Sequence, residues 1–284
     1  MRRHLAAELA PGLYVVATPI GNLGDITLRA LAVLARADAI LCEDTRHSRT
    51  LLAHYAIDAP TRPYHEHNAA RERPRVLAEL AAGRRVALIS DAGTPLVSDP
   101  GWKLVREALD ASHRVEALPG ASATLTALAV AGLPTDAFLF AGFLPPRSAA
   151  RRTRIAELAA VPATLVFFEA PSRVPEALVD LASVLGPRPA ALARELTKLH
   201  EEVRRGRLDE LAAALEGQTV KGEAVILVGP PAEGEVSDEA IAAKLTDALG
   251  AMSLRDAAKA VADALGVPKS RVYDLGLKLR KDGQ

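Results

Sequence analysis

The chain has 284 residues, room for two ordinary domains or one large domain with an appendage. Hydrophobic residues make up 49%, which excludes wholesale disorder, and aromatics at 4% exclude broad stacking platforms for single-stranded nucleic acid. Lys plus Arg equals Asp plus Glu at 35 each, which excludes a uniformly basic surface and leaves local basic patches open.

Residues 1–11 read as an N-terminal extension. They lack the apolar run of a signal peptide, and no stretch of the chain is long and apolar enough to span a bilayer. The expectation is a cytoplasmic protein with no membrane partner. Leu13–Ala17 reads as a strand and Ile26–Arg36 as a helix, followed by a strand at Ala39–Cys42. Cys42, the single cysteine, rules out an intramolecular disulfide and reads as a small core residue. Next come a helix over Arg75–Ala82 opened by Pro74, a strand at Val86–Ile89, and a helix at Trp102–Leu109. A strand at Val115–Leu118, a helix through Ala121–Ala131 and a fifth strand at Phe138–Phe140 complete the segment. Strands that are apolar throughout, alternating with helices, predict a mostly parallel sheet covered on both faces, over residues 12–142.

Gly142-Phe143-Leu144-Pro145-Pro146 reads as a linker into a second α/β domain, residues 143–231. Its expected elements are strands at Thr164–Phe168, Pro189–Ala193 and Ala224–Val228, with helices at Pro175–Leu185 and Leu208–Leu215. Residues 232–284 form a helical tail. Helices at 238–249, 254–265 and 269–281, with Ser237 and Ser253 as N-caps and a turn at Gly266-Val267-Pro268, fit a helix-turn-helix layout or a plain helical cap.

In open α/β sheets, ligands bind at the carboxyl ends of strands. The loops there are rich in Gly, Pro and small polar groups: Thr18–Asp25, Glu43–Arg46, Ser90–Pro95, Pro119–Ala123 and Glu169–Arg173. Each alone is an ordinary turn; several at one sheet edge indicate a ligand cleft. Neither a phosphate-binding loop ending in Lys-Ser/Thr nor G-x-G-x-x-G is present. The residues by themselves stop at a small, largely neutral ligand in a two-domain cleft.

The segment Val16-Ala17-Thr18-Pro19-Ile20-Gly21-Asn22-Leu23-Gly24-Asp25-Ile26-Thr27-Leu28-Arg29-Ala30 resembles the opening signature of the ribosomal RNA cytidine 2′-O-methyltransferases, a branch of the tetrapyrrole-methylase superfamily. The likeness continues through Cys42–Arg46, Tyr64–Asn68, Leu88–Pro95, Ser98–Gly101, Pro119–Ala123, Phe168–Arg173 and Arg194–Lys198, covering about residues 12–230, and the tail also looks like the family's. The resemblance implies a two-domain, class III methyltransferase fold with S-adenosylmethionine in the cleft, and a homodimer. By the same analogy, Pro19, Asp91, Gly93, Thr94 and Ser122 from the first domain, with Phe168 and Ala224 from the second, hold the cofactor. The substrate implied is a cytidine ribose of 16S ribosomal RNA in the decoding region, presented on the RNA or the small subunit.

Methyl transfer to a ribose hydroxyl needs alignment, and gains from a general base or a cation near the developing alkoxide. Candidates are Glu43, Asp44 and Arg46, then His65 and Glu66 within His65-Glu66-His67-Asn68, then Lys198 beside Glu195. Each group also reads as an ion pair or a solvated loop, and the two histidines on an extended segment are too few for a metal site, so no metal is expected. Arg147, Arg151, Arg152 and Arg154 precede the first acid, Glu157, and form the basic patch best suited to phosphate. Arg204, Arg205 and Arg207 form a second group, and Lys269, Arg271, Lys278, Arg280 and Lys281 against Asp274 a third. Two alternatives stand beside this: a tetrapyrrole methyltransferase, whose first loop is glycine-richer, and a non-catalytic RNA-binding assembly factor.

Overall fold

The computed structural model describes residues 9–231, 238–250, 252–265 and 267–282; residues 1–8, the expected cap Ser237 and the turn residue Gly266 lie outside them. Two compact units result, Met1–Pro230 and Pro231–Gln284.

The first unit holds two five-stranded sheets. In the first sheet the strands are β1 (Gly12–Val16), β2 (Ala39–Cys42), β3 (Thr61–Pro63), β4 (Arg85–Ile89) and β5 (Val115–Leu118), ordered β3-β2-β4-β1-β5 and all parallel. Alternate residues explain why the inner strands β1, β2 and β4 are apolar almost throughout. Tyr14, Val16, Ile40, Ala87 and Ile89 face one core with helices α1 (Leu28–Leu34) and α2 (Thr45–His54). Leu13, Leu41, Val86 and Leu88 face another with α3 (Glu66–Ala81) and α4 (Trp102–Asp110).

Two expectations for this sheet need correction. The helix expected to open at Pro74 begins at Glu66 and carries Pro74 inside it. Asn68 accepts a hydrogen bond from the His65 amide at 2.9 Å, which caps that earlier start, while Val76 and Leu80 are buried beside the sheet strands beyond the proline. The histidines therefore lie on a helix start rather than on an extended segment. Helix α2 and strand β3 were not anticipated: TRHSRTLLAH offers only Leu51 and Leu52 to the core, and β3 is a three-residue edge.

The strand at Phe138 belongs to the other sheet. Strand β6 (Phe138–Phe143) pairs in parallel with β7 (Thr164–Glu169), so Gly142 and Phe143 are strand residues, not linker. With β8 (Pro189–Arg194), β9 (Glu202–Arg207) and β10 (Ala224–Val228) the order is β6-β7-β10-β8-β9, and every pairing except β6–β7 is antiparallel. Thus the second α/β segment is a mixed sheet. Its edge β9, EVRRGR, carries the basic group Arg204, Arg205 and Arg207 on a strand, and charge along such an edge discourages further pairing.

Helices α6 (Ser148–Leu158), α7 (Val174–Leu185) and α8 (Leu208–Leu215) cover one face of this sheet. The other face receives α5 (Ala123–Ala131), which follows β5 of the first sheet: Ala127, Leu128 and Ala131 pack with Val166, Ala191, Val225, Leu227 and Ile20. That shared core fixes the two sheets against each other. The second unit contains α9 (Asp238–Leu249), α10 (Leu254–Leu265) and α11 (Lys269–Asp282) around its own small core of Ile241, Leu245, Ala258, Val261 and Val272. Ser253 caps α10 through Asp256.

Candidate functional site

Strand order places the site. From β1 the chain passes to β2 on one side, and from β4 it passes to β5 on the other, so the loops after β1 and β4 diverge at a switch point. Those loops are clamped together there. Thr18 and Gly93 exchange backbone hydrogen bonds of 2.9 and 3.0 Å, and the Thr18 hydroxyl donates to the Ser90 carbonyl at 3.1 Å. Gly93 has φ +79°, and a Cβ there would stand 3.3 Å from Ile20 Cγ2, so glycine serves both the turn and the close approach.

Between this edge and the second sheet lies a cleft with a cavity of about 380 Å³, ordinary for a small-molecule site. One wall carries Asp91, Gly93, Thr94, Asp99, Ser122 and Thr124; the other carries Phe143, Phe168, Glu169, Glu223, Ala224 and Val225. Ile20, Ala193 and Leu196 add apolar surface. Two buried polar atoms on these walls have no hydrogen-bond partner among the described residues, Thr124 Oγ1 and Glu169 Oε2. Glu169 Oε1 is occupied, accepting from the Ala170 amide at 2.8 Å and pairing with Arg173. Unmet hydrogen-bonding capacity on a cleft wall suits a ligand with polar edges and an apolar body.

Six of the seven expected cofactor residues line this cleft; Pro19 is buried and does not, and its neighbour Ile20 supplies the wall. The expected catalytic groups do not line it. Asp44 caps α2 and pairs with the exposed Arg46, whose guanidinium holds the Asp44 carboxyl below its ordinary range. Glu43 is exposed beside this cap. His65 precedes α3, and Glu66 is exposed in its first turn. Lys198 comes nearer. Its stem lies over Gly21, and its ammonium bonds Glu195 at 2.9 Å and the cleft residue Glu223 at 3.1 Å. Burial opposes the Lys198 charge, but the two carboxylates outweigh it and raise the ammonium above its ordinary value. Among the described residues no group of acids, histidines and cysteine could hold a metal ion.

The basic patch splits. Arg147, Arg152 and Arg154 are exposed, Arg154 in a pair with Glu157 at 2.8 Å. Arg151 is 1% exposed and donates to Asp180 at 2.6 Å, so its assignment to RNA is corrected: it holds α6 against α7. The spacing 151, 155, 158 could have signalled this, since Ile155 and Leu158 share that buried helix face. Arg204, Arg205 and Arg207 are tied to Glu202, the Val130 carbonyl and Asp209 respectively.

Sequence reasoning missed Asp99, Thr124, Glu169 and Glu223. A buried oxygen without a partner, Oγ1 of Thr124 and Oε2 of Glu169, marks these two, and that cannot be read from residue order. Asp99 stood in a quoted motif, but its surroundings were invisible there. Burial and the nearby Glu43 carboxylate push the Asp99 carboxyl up to about 6, against one opposing hydrogen bond from Ser90.

This fold and cleft define a class of methyltransferase: the chain belongs to the Tetrapyrrole (Corrin/Porphyrin) Methylases, which match residues 12–212. Within that class it falls among the proteins named ribosomal RNA small subunit methyltransferase I. The relative from Mesorhizobium japonicum is 53% identical over 97% of this chain and 94% of its own length. That from Pseudomonas aeruginosa is 46% identical over 94% and 96%. Residues 235–280 match the RsmI C-terminal HTH domain. Among solved structures, uroporphyrin-III-C-methyltransferase from Thermus thermophilus is 26% identical with a TM-score of 0.56, covering 77% of this chain and 94% of that one. Diphthine synthase, at 16% identity and a TM-score of 0.61, covers 76% and 89% and shares the fold. The helix-turn-helix expectation for the tail and the tetrapyrrole-methylase fold expected for the body thus hold.

Proposed function

We propose that this chain transfers a methyl group from S-adenosylmethionine to the 2′ hydroxyl of a cytidine in the decoding region of 16S ribosomal RNA. The observation that carries the reading is the cleft: glycine-punctuated turns from one sheet edge face an apolar wall of the second sheet, with Thr124 and Glu169 holding unmet hydrogen-bonding capacity. These residues fit the cofactor. Backbone groups at Gly93 and the hydroxyls of Thr94, Ser122 and Thr124 suit its amino-acid end, and Phe168, Ala224 and Val225 suit its adenine. When bound, it supplies an activated methyl: the carbon–sulfur bond breaks with its electron pair left on sulfur as the carbon–oxygen bond forms.

The chain's own residues align the acceptor, exclude water and receive the proton. Arg147, Arg152 and Arg154 contact phosphate, and the target nucleotide is unstacked into the cleft. The relatives' shared name supports ribosomal RNA as the substrate class. A homodimer acting in the cytoplasm completes the reading; no helix among the described residues is long and apolar enough to cross a membrane.

Incubation with labelled S-adenosylmethionine and undermodified small subunits, followed by nuclease mapping and mass spectrometry, tests it. The expected label lies on a cytidine ribose. Label on a base, or none on RNA, refutes the assignment.

A further inference from the structure

The segment between Asp91 and Gly101 is a strained part of the cleft wall. Leu96 at φ +74° and Ser98 at +64° both adopt the left-handed region that side chains rarely occupy. They flank Val97, and with it Ser98 and Asp99 are turned to the cavity. Facing them is the end of β6: a Cβ on Gly142 would stand 3.8 Å from Ser98 Oγ, so the two walls meet here as a lip. Phe143, the next residue, lines the cleft and is 57% exposed, and its ring meets Phe168 edge-on at 5.8 Å between centroids. A large exposed ring in a cleft wall, braced by a second ring, is a surface for a planar partner.

Asp99 is unusual in its charge environment. The groups around it are acidic or neutral: Glu43 after β2, and Asp91 and Ser90 after β4. Glu169 and Glu223 on the opposite wall are neutralised by their own partners, Arg173 and Lys198. No cation stands beside Asp99 among the described residues. A partly buried carboxylate with no counter-ion is costly to keep, which points to chemistry rather than architecture.

We propose that the lip is the acceptor-nucleotide subsite of the methyl-transfer reaction proposed above: the unstacked base lies on Phe143, and the proton leaving the ribose hydroxyl passes to the Asp99 carboxylate, then to water. The proposal rests on that reading and adds the group that takes the proton, which no expectation from the sequence assigned. With its carboxyl pushed up to about 6 by burial, Asp99 is a better proton acceptor than an ordinary carboxylate yet is ionised at pH 7.5.

The test uses the full chain, labelled S-adenosylmethionine and undermodified small subunits. Asp99→Asn should lower kcat by about 100-fold or more while KM for RNA and cofactor affinity by calorimetry stay within about twofold. The fall in wild-type rate as pH drops through about 6 should vanish in the variant. A second readout needs no activity. The folded-state carboxyl titrates near 6 against 3.8 unfolded, so ionisation destabilises the fold, fully so above about pH 6. Asp99→Asn should therefore melt above wild type at pH 7.5, with the gap closing near pH 4; a structural role gives the opposite sign. Phe143→Ala should raise KM for RNA about tenfold at nearly unchanged kcat. An Asp99→Asn enzyme with wild-type kcat and pH profile overturns the assignment, as does loss of cofactor affinity in either variant. If wild type itself labels no RNA, the methyl-transfer reading falls and the subsite with it.

Discussion

Two carboxylates, the buried Asp180 and the half-buried Asp99, have opposite surroundings. Behind the sheet Asp180 accepts from Arg151 at 2.6 Å and from the Ser148 hydroxyl at 2.9 Å, with both pair members nearly inaccessible. In the cleft, Asp99 has other acids for neighbours and no cation. The first charge is fully compensated and joins two helices; the second is left uncompensated where a substrate can reach it. Where burial and compensation coincide the group builds the fold, and where they part it is available to react.

Removing the compensation behind the sheet should have the largest effect. Arg151→Ala leaves Asp180 charged and buried, and should cost about 3–5 kcal/mol in urea unfolding. Replacing Arg151 and Asp180 together by apolar residues should recover most of that loss. A single variant of wild-type stability would erase the contrast between the two carboxylates.

A smaller effect is expected at the cleft turn. Gly93→Val forces a branched side chain onto a φ of +79° and against Ile20, at a cost of about 1–3 kcal/mol in stability. Calorimetry with S-adenosylmethionine should show at least about tenfold weaker binding, equal to 1.4 kcal/mol. Unchanged affinity would move the cofactor away from this turn. Smallest is the exposed part of the basic patch. Arg147→Ala with Arg152→Ala should weaken RNA binding, lower the salt slope by up to about 1.4, and leave melting unchanged. An unaltered slope would return these arginines to plain solvent.

Much of the first sheet was legible because its inner strands are buried on both faces, so β2 reads as an unbroken apolar run with the bounds observed; the edge strand β5 has the expected bounds although Glu116 interrupts it. The cleft loops were legible because glycine and proline punctuate strand ends. What escaped depends on context. Strand β9 is charged on an edge, and β6 looked like the end of one domain because sequence adjacency does not name a strand's partner. Arg151 and Arg152 are neighbours in sequence, yet a helical step of about 100° turns one inward and the other to water. Asp99 was visible as a letter in a motif; its lack of a counter-ion exists only after Glu43 and Ser90 are brought beside it.

The most direct test of the account is a crystal structure of the chain with S-adenosylhomocysteine, the demethylated cofactor. The account predicts ligand density between the Gly93–Thr94 turn and the Phe168–Val225 wall, with polar contacts to Thr124 or Glu169 Oε2. Density anywhere else, or a cleft filled by its own side chains with no ligand bound, would contradict it.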